Sequence, residues 1–321
     1  MPRATINSVI VTVTLNPSVD RTISVDRFTV GSVNRGELSA IDPGGKGVNV
    51  SRALVSYGSQ TFAILVCGDL GDVWFATSLT KLGVEHCIVK ADGITRSNIT
   101  LVDRAGGVTK INEPGITLTA DSLSEVKNAL SSLNIDGAWV VLAGRLNPGA
   151  DVATYKELGE FARSLGAKVA LDSSGPEFKA ALAMQPELIK PNQFELGELV
   201  GRPLDTINDV IEAAHEVLAL GVKQVLCSLG VDGAIVISHE GIVHCEPERV
   251  AVGTPVGAGD ILLAIYLGGG AQPSALRDAI AWSAASVPLE GTGIPTKAQA
   301  AAVGVIENKS PVALRELAEV H

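Results

Sequence analysis

Residues 256–267 read Val256-Gly257-Ala258-Gly259-Asp260-Ile261-Leu262-Leu263-Ala264-Ile265-Tyr266-Leu267. The small residues at 257–259 let the backbone approach a ligand closely, and the apolar run after Asp260 reads as a buried helix. Backbone N–H groups at a helix start have no partner inside the helix and carry partial positive charge. A glycine turn feeding such a helix is therefore an anion site. Asp260 at its mouth has two readings. It caps the helix, as Asp does well, or it serves as the general base beside a phosphate chain and an alcohol.

Outward from this stretch, strand-like runs alternate with helix-like ones. Val9–Leu15, Thr61–Val66, Ala138–Leu142, Ala167–Leu171, Leu188–Lys190 and Gln224–Leu229 read as strands by their apolar, β-branched content. Between them, apolar residues recur at helical spacing. One set is Leu123, Val126, Leu130 and Leu133. Another is Val152, Tyr155, Leu158, Ala162 and Leu165, closed by Gly166. A third is Ile207, Val210, Ile211, Ala214, Val217 and Leu218, closed by Gly221. This alternation predicts an α/β fold, with a mostly parallel sheet covered by helices on both faces. Residues 21–41 and 96–114 break the rhythm. They alternate apolar and polar residues without a helix, and Ala105-Gly106-Gly107 reads as a hairpin turn. Both are expected to be half-exposed antiparallel strands of a small lid sheet on one domain spanning 1–321.

The chain has 321 residues, 46% hydrophobic, and a net charge of −10 with no Lys/Arg block. That balance argues against nucleic-acid or anionic-membrane partners. Cys67, Cys87, Cys227 and Cys245 form no C-x-x-C pair and read as reduced thiols of a cytoplasmic protein. The five histidines show no metal spacing. Met1–Thr5 lacks the apolar core of a signal peptide, and the run at Ile261 is too short to span a membrane.

Further stretches carry chemistry. Pro43-Gly44-Gly45-Lys46-Gly47-Val48-Asn49 is a second glycine turn opening a helix, without the spacing of a Walker A loop. It suits a phosphate or sugar hydroxyls, or simply a tight turn. Asn16-Pro17-Ser18-Val19-Asp20 follows the first strand, where open parallel sheets bind ligands. Asp20 there accepts hydroxyl hydrogen bonds or closes an Asx turn. Asn192 and Glu195 start a helix and suit Mg²⁺ or a capping box. Ser228-Leu229-Gly230-Val231-Asp232-Gly233 joins two strands, as a nucleotide contact or an ordinary turn.

The order of these motifs, N-P-S-V-D, G-G-K-G-V-N-V-S-R-A, T-R-S-N, T-K-I-N-E-P-G, K-P-N-Q-F-E-L, S-L-G-V-D-G-A and V-G-A-G-D, resembles the ribokinase-like (PfkB) sugar kinases. It is most similar to the branch containing 1-phosphofructokinase and tagatose-6-phosphate kinase. The resemblance runs from about Val9 to about Pro295 and implies a ribokinase-like α/β/α sandwich with a β-sheet lid, which often also forms a dimer contact. It implies ATP and Mg²⁺ as cofactors. Asp260 would be the base, and Gly257, Ala258 and Gly259 the anion hole. Asp20, Gly44, Gly45 and Asn49 would bind sugar hydroxyls, with Lys46 and Arg96 on the phosphate the sugar already carries. Lys190, Ser228, Gly230 and Gly233 would line ATP, and Asn192 and Glu195 would place the metal. The implied reaction is phosphorylation of a sugar phosphate, foremost fructose 1-phosphate at its 6-hydroxyl. Tagatose 6-phosphate and fructose 6-phosphate are the alternative acceptors. A sugar-phosphate-binding regulator without catalysis is the alternative of another class. Three residues depart from the family pattern: Ile261 replaces a small or polar residue after the base, Pro255 replaces Thr before Val256, and Arg145 stands where a small residue is usual.

Overall fold

The computed structural model describes residues 9–249, 256–308 and 315–318. Pro255, and with it the departure just before Val256, lies outside the described residues. Strand β1 (Ile10–Thr14) is buried along its whole length. Its alternation sends Val11 and Val13 into one core and Ile10 into the other. Thr12 faces the first helix, where its hydroxyl meets Ser51 Oγ at 2.8 Å. The chain leaves β1 into β2 (Ser18–Val25) and β3 (Glu37–Gly44), and enters α1 (Lys46–Tyr57) through Gly45. Then come β4 (Thr61–Asp69), α2 (Gly71–Lys81), β5 (Glu85–Ile94), β6 (Ser97–Asp103) and β7 (Val108–Asn112). The βα units continue with α3 (Ala120–Ser132), β8 (Trp139–Ala143), α4 (Thr154–Ser164), β9 (Lys168–Asp172), α5 (Gly175–Ala181), β10 (Leu188–Ile189), α6 (Gln193–Val200), α7 (Ile207–Ala219) and β11 (Gln224–Ser228). The last elements are β12 (Ala234–Ser238), β13 (Gly241–Pro247), α8 (Ala258–Gly268), α9 (Leu276–Ser286), α10 (Lys297–Ala301) and β14 (Val305–Asn308).

Ten strands form one sheet in the order β14-β13-β12-β11-β10-β9-β8-β1-β4-β5. The pairs from β11 through β10, β9, β8, β1 and β4 to β5 are parallel; those from β11 through β12 and β13 to β14 are antiparallel. For β12 and β13 the switch follows from connection length, since a short turn can only reverse a strand and a parallel neighbour needs a crossover; β14 pairs antiparallel after the long connection that holds α8, α9 and α10. Residues of α3, α4 and α7 bury their stripes in one core, and residues of α1, α8 and α9 in the other. All six expected core strands form. Each expected helical face is present except at Val152, which precedes α4 and is exposed.

The remaining four strands make a separate sheet, ordered β3-β2-β6-β7. Its hairpin turns at Ala105–Gly107, as the glycines predict. One expectation fails: β2 and β6 pair in parallel. Each continues outward from a strand of the same parallel sheet, β2 from β1 and β6 from β5, so the two leave in one direction.

Candidate active site

Parallel strands place whatever follows their carboxyl ends along one edge of the sheet. Here that edge collects Asn16 after β1, Asp172 ending β9 and Lys190 after β10. Helix α8 enters the same edge through Gly257, its N-cap. Gly257 is in the left-handed region (φ 80°) and the helix start has no side-chain capping hydrogen bond. Asp260 is therefore not the cap. It sits in the first turn, buried, and its Oδ2 accepts a hydrogen bond from Asn49 Nδ2 at 2.8 Å. Asn49 is aimed by Arg52, whose Nη1 donates to Asn49 Oδ1 (3.3 Å), Pro43 O (3.1 Å) and Thr292 Oγ1 (2.9 Å). The same guanidinium pairs through Nη2 with Asp42 of β3 at 3.2 Å, so it ties the small sheet to the first turns of α1.

Beneath Asp260 lies a charge cluster whose centre the sequence reading did not assign. Asp172 is fully buried between two lysines, with Oδ1 at 2.7 Å from Lys46 Nζ and Oδ2 at 3.2 Å from Lys190 Nζ. Glu195 Oε1 stands 3.9 Å from Lys46. Burial, reinforced by the Asp172 charge, pushes the Asp260 carboxyl up to about 7, against the opposing pull of Lys46, the Asn49 hydrogen bond and Lys190. Burial works against the charge on Lys46, yet Asp172, Glu195 and Asp260 together hold its ammonium above the ordinary lysine range. A buried carboxyl poised near neutrality beside a helix start without a side-chain cap is equipped to take a proton from an alcohol while N–H groups meet an anion.

A second cluster comes from the small sheet. Asp20 accepts from Ser18 Oγ at 2.7 Å and from Asn98 Nδ2 at 3.0 Å. Burial raises its carboxyl above the usual range, opposed by those two hydrogen bonds and by Arg96 and Arg52. Gly44 lies directly against it, because a Cβ there would come within 2.1 Å of Asp20 Oδ2. Gly45 (φ 110°) turns the chain into α1, and a Cβ at Gly47 would come within 2.4 Å of Thr14 Oγ1. The glycines of this turn thus let α1 start hard against β1.

This pairing of a glycine-entered helix, a buried carboxylate and a polar cradle on a second sheet matches the sequence pattern of the pfkB family carbohydrate kinases over residues 13–298. The chain belongs to this family. It is 39% identical over 257 residues to a 1-phosphofructokinase of Rhodobacter capsulatus, covering 79% of this chain and 81% of the relative. It is 34% identical over 258 residues to the ATP-dependent 6-phosphofructokinase isozyme 2 of Escherichia coli, covering 79% and 83%. Among solved structures, phosphofructokinase-2 from Escherichia coli in complex with potassium superposes with a TM-score of 0.86 at 30% identity. That match covers 92% of this chain and 97% of the other.

The other expected residues of a pfkB kinase site fall as follows. Arg96 Nε donates to Asn16 O at 3.2 Å and its Nη1 to Glu113 O at 3.2 Å, beside Asp20. Asn192 and Glu195 form a full capping box on α6: Asn192 Oδ1 accepts from Glu195 N at 2.8 Å, and Glu195 Oε2 accepts from Asn192 N at 2.8 Å. The Asn192 oxygen is thereby committed to the helix, and Glu195 Oε1 is left facing Lys46. Lys190 stands against Gly259, 3.3 Å from where a Cβ would be, at the centre of the cluster. Ser228 bridges to Asn192, and Gly230 opens the short turn that follows. Gly233 (φ 81°) packs on β13, where a Cβ would come within 2.0 Å of Cys245 O, so that turn requires glycine there. Ile261 is buried in the core, away from the helix mouth. Asp172 and Arg52 escape sequence reading because each ends or lines an ordinary element, although Arg52 lies inside the glycine-turn motif and Asn98 inside T-R-S-N.

Proposed function

We propose that the protein is a kinase transferring the terminal phosphoryl group of ATP to the 6-hydroxyl of fructose 1-phosphate, giving fructose 1,6-bisphosphate. The observation that carries this reading is Asp260. It is buried, its carboxyl is lifted to about 7, and it is held by Asn49 in the first turn of a helix that has no side-chain cap among the described residues. Asp260 takes the hydroxyl proton, and the N–H groups of Ala258 and Gly259 face the charge on the transferring group. Asp20, Gly45 and Asn49 hold sugar hydroxyls. Asp20 and Asn98 come from the small sheet while Asp260 comes from the main body, so a bound sugar joins the two and the sheet acts as a lid.

The residues present fit a hard cation carried with the nucleotide. Glu195 Oε1 is free of the capping box, and Asp172 Oδ2, with Lys190 Nζ at 3.2 Å, is buried without a hydrogen bond. These two oxygens would hold Mg²⁺, which supplies charge neutralisation of the phosphates. Ser228 and Gly230, past the end of β11, would border the nucleotide. A second copy of the chain would cover the lid's apolar residues.

The test is release of ADP by the purified protein with ATP and Mg²⁺ against fructose 1-phosphate, fructose 6-phosphate, tagatose 6-phosphate and free fructose. The highest kcat/KM is expected for fructose 1-phosphate. A higher value for fructose 6-phosphate, the acceptor implied by the name of the Escherichia coli relative, would reassign the substrate. No sugar-dependent ADP release would leave a binding protein. The core position of Ile261 removes one of the departures that spoke for that alternative.

A further inference from the structure

Two arginines stand at the lid-side edge of the site, and neither has a carboxylate partner. Among the described residues, no Asp or Glu oxygen lies within 4.0 Å of Arg96 or Arg145, although nine other basic residues make such pairs or networks. Strand β8 lies beside β1, with Leu142 opposite Val13. The segments leaving their carboxyl ends therefore start side by side: Asn16, whose carbonyl holds Arg96, and Gly144–Arg145. Arg145 is exposed, and its side chain makes no hydrogen bond among the described residues. Burial lowers the pKa of Arg96, and the Arg145 charge lowers it further, against the pull of Asp20 and Glu113. Two cations gathered this way repel each other until an anion sits between them. Lys46, the cation expected from the sequence to meet the substrate's phosphate, is already engaged at 2.7 Å by Asp172.

We propose that Arg145 joins Arg96 as the receptor for the phosphate the sugar already carries, and that Arg145 sets the preference for a sugar phosphate over the free sugar. This rests on the kinase reading above. A planar guanidinium meets phosphate oxygens through two parallel hydrogen bonds, which an ammonium cannot reproduce. Because the side chain is exposed and unbonded, its truncation removes no contact of the fold.

The test compares the wild type with Arg145→Ala and Arg145→Lys. KM is measured for fructose 1-phosphate and for ATP, turnover is measured on free fructose, and binding of fructose 1-phosphate without ATP is followed by calorimetry. Arg145→Ala should raise the KM and Kd for the sugar phosphate about tenfold or more, the size of a lost charge-assisted hydrogen bond. KM for ATP and turnover on fructose should stay within about twofold of wild type, as for loss of binding confined to one substrate. Arg145→Lys should fall between. An unchanged sugar-phosphate KM, or an equal rise in the KM for ATP, overturns the assignment while leaving the kinase reading intact. A wild type that releases no ADP with any sugar of the panel overturns both.

Discussion

Asp260 is held in an environment that penalises its charge, and this makes its titration readable. Its carboxyl is raised to about 7, so below that pH it is protonated and cannot accept the hydroxyl proton. The kcat/KM for the sugar phosphate should therefore fall as pH drops through about 7, by about tenfold per unit. Asp172→Asn removes the like charge that helps raise it, so that acid limb should move to lower pH. An acid limb near the ordinary carboxylate value in the wild type would assign the base elsewhere. Asp260→Asn keeps the Asn49 contact and should lose about 10²- to 10⁴-fold in kcat with ATP affinity largely retained, read by steady-state kinetics and nucleotide titration. Ile261 makes the opposite case. Its side chain is core, so Ile261→Ser should destabilise by about 2–4 kcal/mol in denaturant unfolding without a gain in kcat.

At the scale of elements, the entry of α1 is the tightest joint. Gly47→Ala drives a methyl into the Thr14 side-chain hydroxyl on β1, with Val13 O at 3.4 Å and Thr12 Cβ at 3.5 Å from the same methyl, so α1 must shift and carry Lys46 and Asn49 with it. Both kcat and thermal stability should fall together, and a variant that loses stability alone would show that α1 returns to place. The described C-terminal segment makes a second joint. Arg315 pairs with Asp232 and Glu246, and the N–H of Ala318 donates to Asp232 Oδ2 at 2.7 Å. This strap clamps the turn after Ser228. Arg315→Met should speed hydrogen exchange at residues 230–233 and raise the KM for ATP more than that for the sugar. The opposite split would place the turn outside the nucleotide's reach. Both joints connect elements far apart in sequence, and neither has a local signature beyond the glycines.

For the whole molecule, assembly turns on the small sheet and its exposed apolar residues. Leu38, Ile41 and Ile111 are exposed on the small sheet, and Val30 and Val33, in the segment joining β2 to β3, are more than 80% exposed. An apolar face of this kind finds a partner. Sedimentation velocity should show a dimer that Val30→Asp with Ile111→Asp breaks to monomer. Hydrogen exchange in β2, β3, β6 and β7 should slow when fructose 1-phosphate binds. A monomer at all concentrations, with no protection on binding, would make these strands a fixed hairpin layer. No helix among the described residues is long and apolar enough to cross a membrane, in keeping with the short apolar run at Ile261.

The sequence by itself determined what depends on neighbours along the chain. The β–α rhythm, the glycine entries to α1 and α8, the hairpin at Ala105–Gly107 and the residue type at Asp260 all rest on periodicity, turn chemistry and helix-end physics, which act over a few residues. Tertiary structure decided everything that depends on strand order. Asn49 and Asp260 meet across 211 positions, and Lys46 and Asp172 across 126. The sequence places Lys46 in a glycine turn, and the fold brings it to Asp172, because β9 lies two strands from β1 with its carboxyl end at the same edge. The same order starts the segment that carries Arg145 next to the one whose Asn16 holds Arg96, and makes β2 and β6 parallel. Spacing within a strand or helix fixes which face a residue takes. Which strand lies next to which is fixed by the closure of both cores at once, and no local pattern carries that information.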